Sequence, residues 1–268
     1  MGSSGVQLHL SPTLLSEVSD VWFGHLTNSE DLVLPSLDQN ARWFVGSDEF
    51  DRVCVGRFAP TLEAIRQSGI KTGIAIVEAA KPNDAHDWLG LVLLLDQIPR
   101  NCYRGDAAAV AFTFFDPMAR DVAQVAMARG LPEGEPQLRW RIAYRQWFYL
   151  PFMHSEDLEA HEVATQAYER MRSDVYALAD EADRRETMEP RQGHEQPDYR
   201  AKAAKVIGVN AARSRLLIDR KVLFEKKHMD IIKRFGRYPH RNKALGRVAT
   251  VEEAEYLENG GGTFARPK

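Results

Sequence analysis

The sequence predicts an all-α fold, a single domain of stacked antiparallel helix pairs. Three observations carry this. Apolar residues recur at helical rather than alternating spacing. Capping residues and terminal glycines punctuate the chain. No hairpin dipeptide flanked by alternating apolar residues occurs. With 268 residues, 44% of them hydrophobic, the chain can bury one substantial core.

The elements follow in order. Residues 1–11 are expected to be disordered or expression-derived, and the helical domain to span 12–258. From Asp48 to Gln67, Phe50, Val53, Cys54, Phe58, Leu62 and Ile65 form a helical stripe. Asp84 caps a helix through Trp88 to Asp96, and Pro99 closes it. Asp116-Pro117 opens a helix that ends at Gly130. A loop over 131–136 leads into an aromatic helix, Gln137 to Leu150. Ser155 caps a helix to about Met188, and Glu189 to Pro197 is a polar loop. Asp198 opens a basic helical segment to about Phe235, and 236–246 is a basic turn region. Thr250 and Glu253 box the start of a last short helix. Residues 259–268 are a flexible tail. No repeat of fixed period is visible.

Several function classes are excluded or unsupported. Two cysteines without a CxxC pair make no disulfide framework, so Cys54 and Cys102 read as free thiols of a reducing compartment. No run of about 18 apolar residues or secretory signal is present, so a cytoplasmic protein without membrane contact is expected. Phosphate-loop, GxGxxG and HExxH patterns are missing. His154 and His161 are too far apart in sequence for a compact chelate, so neither metal nor cofactor is expected.

The net charge of -3 hides an asymmetry. Residues 1–190 carry 17 Lys/Arg against 29 Asp/Glu, whereas 191–247 carry 16 against 5. A block at +11 inside an acidic chain implies an anionic partner, or equally a basic segment folded onto the acidic part.

Three polar clusters stand out. In Leu95-Asp96-Gln97-Ile98-Pro99-Arg100-Asn101-Cys102-Tyr103-Arg104-Gly105, Asp96 ends an apolar run. Its carboxylate needs a partner, and Arg100 and Arg104 are nearest, either as a structural network or as a site. In Tyr149 to Asp157, His154, Ser155, Glu156 and Asp157 crowd a helix start, where ordinary capping competes with catalysis. In Arg234 to Arg247, four arginines, Lys243 and His240 flank Gly and Pro turns. Such a loop can gather guanidinium groups around phosphate or carboxylate oxygens, or lie solvated on the surface.

Together these segments resemble the domain of unknown function 924 family, helical proteins of tetratricopeptide-like architecture. The matching pieces are Val21-Trp22-Phe23-Gly24, Arg42-Trp43-Phe44, Phe50-Asp51, Arg57-Phe58, the Asp96 and His154 segments, Phe115-Asp116-Pro117, and His228 through Arg247. Ile98 and Tyr238 stand where the family usually has Phe. One branch looks like the arginine-containing cyclodipeptide synthases, which join two aminoacyl groups from aminoacyl-tRNAs into a diketopiperazine.

That resemblance implies an arginyl-tRNA partner and a set of roles. His154 would move the proton and Ser155 could accept the acyl group, with Asp96 and Glu156 completing the catalytic set. Asp96, Glu156 or Asp157 would read the substrate guanidinium. Arg100, Arg104, Arg234, Arg237, Arg241 and Arg247 would hold phosphates or an oxyanion, with Gln97, Asn101, His240 and Asn242 also binding substrate. Lys202, Lys205, Arg213, Arg215, Arg220 and Lys221 would track the nucleic acid backbone. Two other expectations stand beside this one: a non-enzymatic scaffold for an acidic peptide or protein, and an enzyme for a small anionic metabolite.

Overall fold

Every regular element in the computed structural model is helical, and no strand occurs among the described residues, 10–185 and 198–263. The expected N-terminal segment up to residue 9, the end of the long helix near Met188, the loop Glu189 to Pro197 and the tail beyond 263 lie outside those residues.

The first half is built from caps. Ser11 accepts from the Leu14 N–H to open α1 (Pro12–Phe23). Leu10, just before this cap, is buried. Then come α2 (Ser29–Val33) and α3 (Leu37–Val45), the latter boxed by Ser36 and Gln39. Ser47 caps α4 (Asp48–Gln67), which has the bounds its apolar stripe predicts. Next are α5 (Gly73–Ala80) and α6 (Ala85–Asp96), where Asp84 accepts from the N–H groups of His86 and Asp87. Pro99 does not end a helix but lies in the first turn of α7 (Ile98–Cys102).

Three further boundaries differ from expectation. Asp116 is no N-cap: α8 (Ala108–Val110) runs through a π-helical turn at Ala111–Phe115 into α9 (Asp116–Ala128), so the backbone is already helical there. The aromatic helix expected over 137–150 is instead α10 (Pro136–Arg139), α11 (Ile142–Arg145), a 3-10 turn at Gln146–Phe148 and α12 (Leu150–Met153). The break falls at Arg141, whose backbone is extended at φ -116° and ψ 98°, and residues 145–153 beyond it are all buried. Finally, Ser155 does not cap α13 (Leu158–Arg185); Asp157 does, accepting from the Glu159 N–H at 3.0 Å.

The basic segment is two helices, α14 (Tyr199–Val209) capped by Asp198, and α15 (Ala211–Phe235). Gly236, at φ 67°, ends α15 in the left-handed region. A 3-10 turn at Pro239–Arg241 precedes α16 (Val251–Glu258), which has the Thr250–Glu253 box. Past α16 the N–H of Gly261 donates to the Tyr256 carbonyl and that of Gly262 to the Tyr256 hydroxyl.

Helices pack in neighbouring pairs: α1 on α6, α4 on α7, α5 on α9, and α13 on α14 and α15. Central to them is α6, buried from Ala85 to Asp96 except at His86. Trp22 and Trp43 both meet Trp147 edge-on at 5.1 and 5.2 Å, fastening α1 and α3 to the aromatic turns. A second, smaller core of Ile231, Ile232 and Tyr238 seats the end of α15.

Gly90 is where α6 touches α1, and an added Cβ would overlap the Leu15 carbonyl oxygen. Alanine is the better helix former by about 1 kcal/mol, but overpacking costs about 1–3 kcal/mol. The Gly90→Ala variant is therefore expected to be less stable. A lower urea midpoint checks this, and a raised midpoint would show that α1 yields freely.

Candidate functional site

The site starts from the end of α6. Asp96 is fully buried, and its charge must be met from inside the protein. His154, just after α12, donates Nδ1–H to Asp96 Oδ1 at 2.7 Å. Gln97 Nε2 donates to Oδ2 at 2.5 Å, and Arg100 Nη1 lies 3.6 Å from Oδ1. Burial pushes the Asp96 carboxyl up, but His154 and Arg100 outweigh it and hold it below its ordinary range. Burial and the Arg100 guanidinium push the His154 imidazole down, against the pull of Asp96. His154 is thus neutral near pH 7, with its tautomer fixed by Asp96. Its Nε2 bonds no group among the described residues, and its side chain keeps 15% exposure. A neutral imidazole oriented by a buried carboxylate can take a proton from a substrate and return it.

Asp116 meets both arginines of the cluster. Arg100 reaches its Oδ1 at 2.8 Å and Arg241 its Oδ2 at 3.5 Å. Arg241, 6% exposed, also donates to the His154 carbonyl at 2.9 Å and lies over Phe112 and Tyr238. Arg100 Nη2 and Arg241 Nε are buried donors without a hydrogen-bond partner. Burial and the neighbouring Arg241 push His240 down to about 3.

The predicted residues thus sort into groups. Asp96, Gln97, Arg100, His154 and Arg241 converge, and His240 senses the charges of Arg241, Glu156, His154 and Arg100. Ser155 does not face His154: its Oγ accepts from Arg120 at 2.9 Å, so nothing activates it as a nucleophile. Glu156 is held by both Arg247 nitrogens at 3.0 and 2.7 Å and by the Tyr238 N–H at 2.9 Å. Asp157 caps α13 and pairs with Arg120 at 3.2 Å. None of the three carboxylates expected to read a guanidinium is unengaged.

The remaining substrate-binding candidates brace the structure. Arg104 grips Asp51 at 2.6 and 3.0 Å and donates to Asn101, whose own amide donates to the Gln97 carbonyl. Arg234 pairs with Glu252, and Arg237 and Asn242 both donate to Glu253.

The proposed nucleic acid contacts divide similarly. Lys221 is buried, its Nζ donating to Asn40 at 2.8 Å and Gln146 at 2.5 Å, so it cannot track a backbone. Burial pushes its ammonium down to about 7. Arg215 pairs with Asp180 at 2.5 Å, Lys202 bonds Ser29 and Arg213 reaches the Leu34 carbonyl. Lys205 and Arg220 remain exposed.

Sequence reasoning missed the support behind His154. His161 is fully buried, with Nδ1 2.7 Å from Glu225 Oε1 and Nε2 3.0 Å from the Ser155 carbonyl. Tyr238 donates to the Met153 carbonyl at 2.5 Å. A signal existed: Lys221, Glu225 and His228 fall on the same helical stripe as Leu217, Ile218 and Ile232. Among the described residues, no group of three or more His, Cys, Asp or Glu could hold a metal ion. None of their helices is long and apolar enough to cross a membrane. Burial raises both thiols, Cys54 and Cys102, to about 12.

Comparison with known proteins agrees with this architecture. The model of the family described as "Bacterial protein of unknown function (DUF924)" matches residues 18–261. The chain belongs to that family. The match takes in all three polar clusters. A solved structure of a protein of unknown function from Agrobacterium tumefaciens is similar over 92% of this chain and 98% of that one, at 26% identity and a TM-score of 0.52. No curated protein matches the chain.

His240 gives the cluster a pH signature. Its folded value lies far below the unfolded value near 6.5. Its contribution to stability is therefore full above that unfolded value and is lost as pH falls, at about 1.4 kcal/mol per unit. A His240→Gln variant should show a shallower fall in urea-unfolding free energy between about pH 5.5 and 4 by roughly that amount. An unchanged slope would mean that His240 is protonated in the native state.

Proposed function

We propose that the chain is an acyl-transfer enzyme in which the Asp96–His154 pair moves the proton, and that its reaction is cyclodipeptide formation from aminoacyl-tRNA. The observation that carries the proton-transfer role is the 2.7 Å Asp96–His154 hydrogen bond, with Nε2 unbonded among the described residues. In such a reaction the amine of one aminoacyl group attacks the ester carbonyl of another. His154 Nε2 takes the amine proton and passes it to the departing ribose hydroxyl, so the first tRNA leaves neutral at that oxygen. A second attack by the remaining amine closes the ring and releases the second tRNA. Arg100 and Arg241, the guanidinium groups beside Asp96 and the His154 backbone, would offset the negative charge that develops on the carbonyl oxygen. With Ser155 turned to Arg120, direct aminolysis fits better than a seryl intermediate.

For the tRNA itself, support comes from the outer face of α15. Arg220 and Lys227 are exposed there and make no ion pair among the described residues, and Lys226 and Lys233 are exposed towards α13. Neutralisation of phosphates by such cations gives salt-dependent affinity. Arginine as substrate has less support, because Asp96, Glu156 and Asp157 are already engaged.

A second reading is favoured by the internal pairing of Arg215, Arg234, Arg237, Arg241 and Arg247. With so much of the basic block consumed, a small anionic or acyl metabolite is the alternative substrate for the same proton-transfer pair. Salt separates the two. Affinity for tRNA should fall steeply between 50 and 200 mM salt, by about 10³-fold or more if six phosphates are contacted. A small substrate should show a much shallower dependence.

The test is mass spectrometry of cyclic dipeptides after incubation with a charged tRNA pool containing confirmed arginyl-tRNA. A diketopiperazine abolished by ribonuclease is expected. His154→Gln should lower its rate by about 10²–10⁴-fold while the protein stays folded. Absence of any diketopiperazine overturns the cyclodipeptide reading, and an undiminished His154→Gln rate overturns the role of the pair.

A further inference from the structure

Behind His154, on the far side of His161, the two long helices α13 and α15 leave a groove of about 240 Å³. Glu225, Tyr168 and Thr165 line it. Glu225 has no exposed surface, and its Oε2 has no hydrogen-bond partner. Thr165 Oγ1 is likewise buried without one. The Tyr168 hydroxyl bonds no group among the described residues. One carboxylate oxygen and two hydroxyls therefore border one small groove, and a buried unbonded carboxylate oxygen costs stability unless a donor meets it.

The proton count around His161 sharpens this. Its Nε2 faces two acceptors, the Ser155 carbonyl at 3.0 Å and the Tyr238 oxygen at 3.1 Å. The Tyr238 proton is already given to the Met153 carbonyl. Nε2 therefore carries hydrogen, and one proton lies between His161 Nδ1 and Glu225 Oε1, 2.7 Å apart. Whichever atom holds it, Oε2 keeps its lone pairs. A donor arriving at Oε2 with positive charge favours the ionised carboxylate and is held by a charge-assisted bond. At the rim, Glu169 and Asp230 balance Lys226 and Lys233, so the entrance does not repel such a group.

We infer that the α13–α15 groove is a binding site for a cationic N–H donor, a guanidinium or primary ammonium group, with Glu225 as its acceptor. The groove's size limits the occupant to a small amine or one side chain. Occupancy would press on His161, which bonds the backbone of Ser155, next in sequence to His154. This inference does not rest on the reaction proposed above.

Calorimetric titration of the full chain with n-butylguanidine, n-butylamine and tetramethylammonium tests it. n-Butylguanidine or n-butylamine should bind saturably, while tetramethylammonium, a cation without N–H donors, should not. Which of the two binds more tightly distinguishes guanidinium from ammonium. Glu225→Gln should weaken binding about ten- to hundredfold. Thr165→Val should weaken it severalfold. The valine variant removes no existing hydrogen bond, so it decides the matter if the Glu225 variant fails to fold. No saturable binding of either amine, equal binding of tetramethylammonium, or affinity unchanged in Thr165→Val and in any folded Glu225→Gln overturns the inference.

Discussion

A carboxylate cut off from water organises the centre of this molecule. Asp96 ends a helix whose residues are almost all buried, so its charge is carried into the core by its neighbours. The effective cost of burying one ion is several kcal/mol, and removing one partner of a buried pair typically costs about 3–5 kcal/mol. Asp96 is met from three sides, by Gln97, Arg100 and His154. Arg100 is itself desolvated and needs Asp116; Asp116 in turn draws in Arg241 from the C-terminal loop. Each buried charge recruits the next, and the chain of pairs joins α6, α7, α9, the turn after α12 and the loop after α15. What orients His154 is therefore also what ties these segments of the fold together.

The same logic explains the charge asymmetry. Arg241 and Arg247 reach back to Asp116 and Glu156, and Arg215 to Asp180, so the basic block is partly the complement of the acidic one. Arg234 and Arg237 pair forward with Glu252 and Glu253. Arg237 and Asn242, with the Thr250 N–H, hold Glu253 down to about 2. The arginines beside glycine turns thus act as cross-links between segments distant in sequence.

The fold class was legible because periodicity is a local property. The α4 stripe, the Asp84 and Asp198 caps and the Thr250–Glu253 box each depend on residues a few positions apart. Failures came where contacts distant in sequence decide the local structure. The aromatic run from Trp140 to Tyr149 has helical composition, yet it is interrupted at an extended Arg141 and tightens into a 3-10 turn at Gln146–Phe148. Ser155 has the chemistry of a cap, but Asp157 starts the helix and Ser155 turns to Arg120, 35 residues earlier. At the site, Asp96 could be marked as a buried carboxylate needing a partner because an apolar run leads into it. Its actual first partner, His154, lies 58 residues away, and no local pattern encodes that pairing. Glu225 was missed although it sits on an apolar stripe, the same kind of signal that marked Asp96.

The balance of charge around His154 bears on what the site can stabilise. Arg100 and Arg241 stand opposite Asp96 and Asp116, two cations against two anions within one cluster. Such a cluster has no surplus charge with which to hold a permanent anion against competition from water. It does keep buried N–H groups that no acceptor satisfies. Donors of that kind contribute most when negative charge appears on an oxygen already in place, because they need no reorganisation and meet no competing solvent. Among the described residues, α15 carries exposed cations without an ion pair, Arg220 and Lys227, away from this cluster. The charge-balanced cluster around His154 and the exposed cations of α15 thus lie on different surfaces, so under the proposed reaction a polyanion and the reacting oxygen would be met separately.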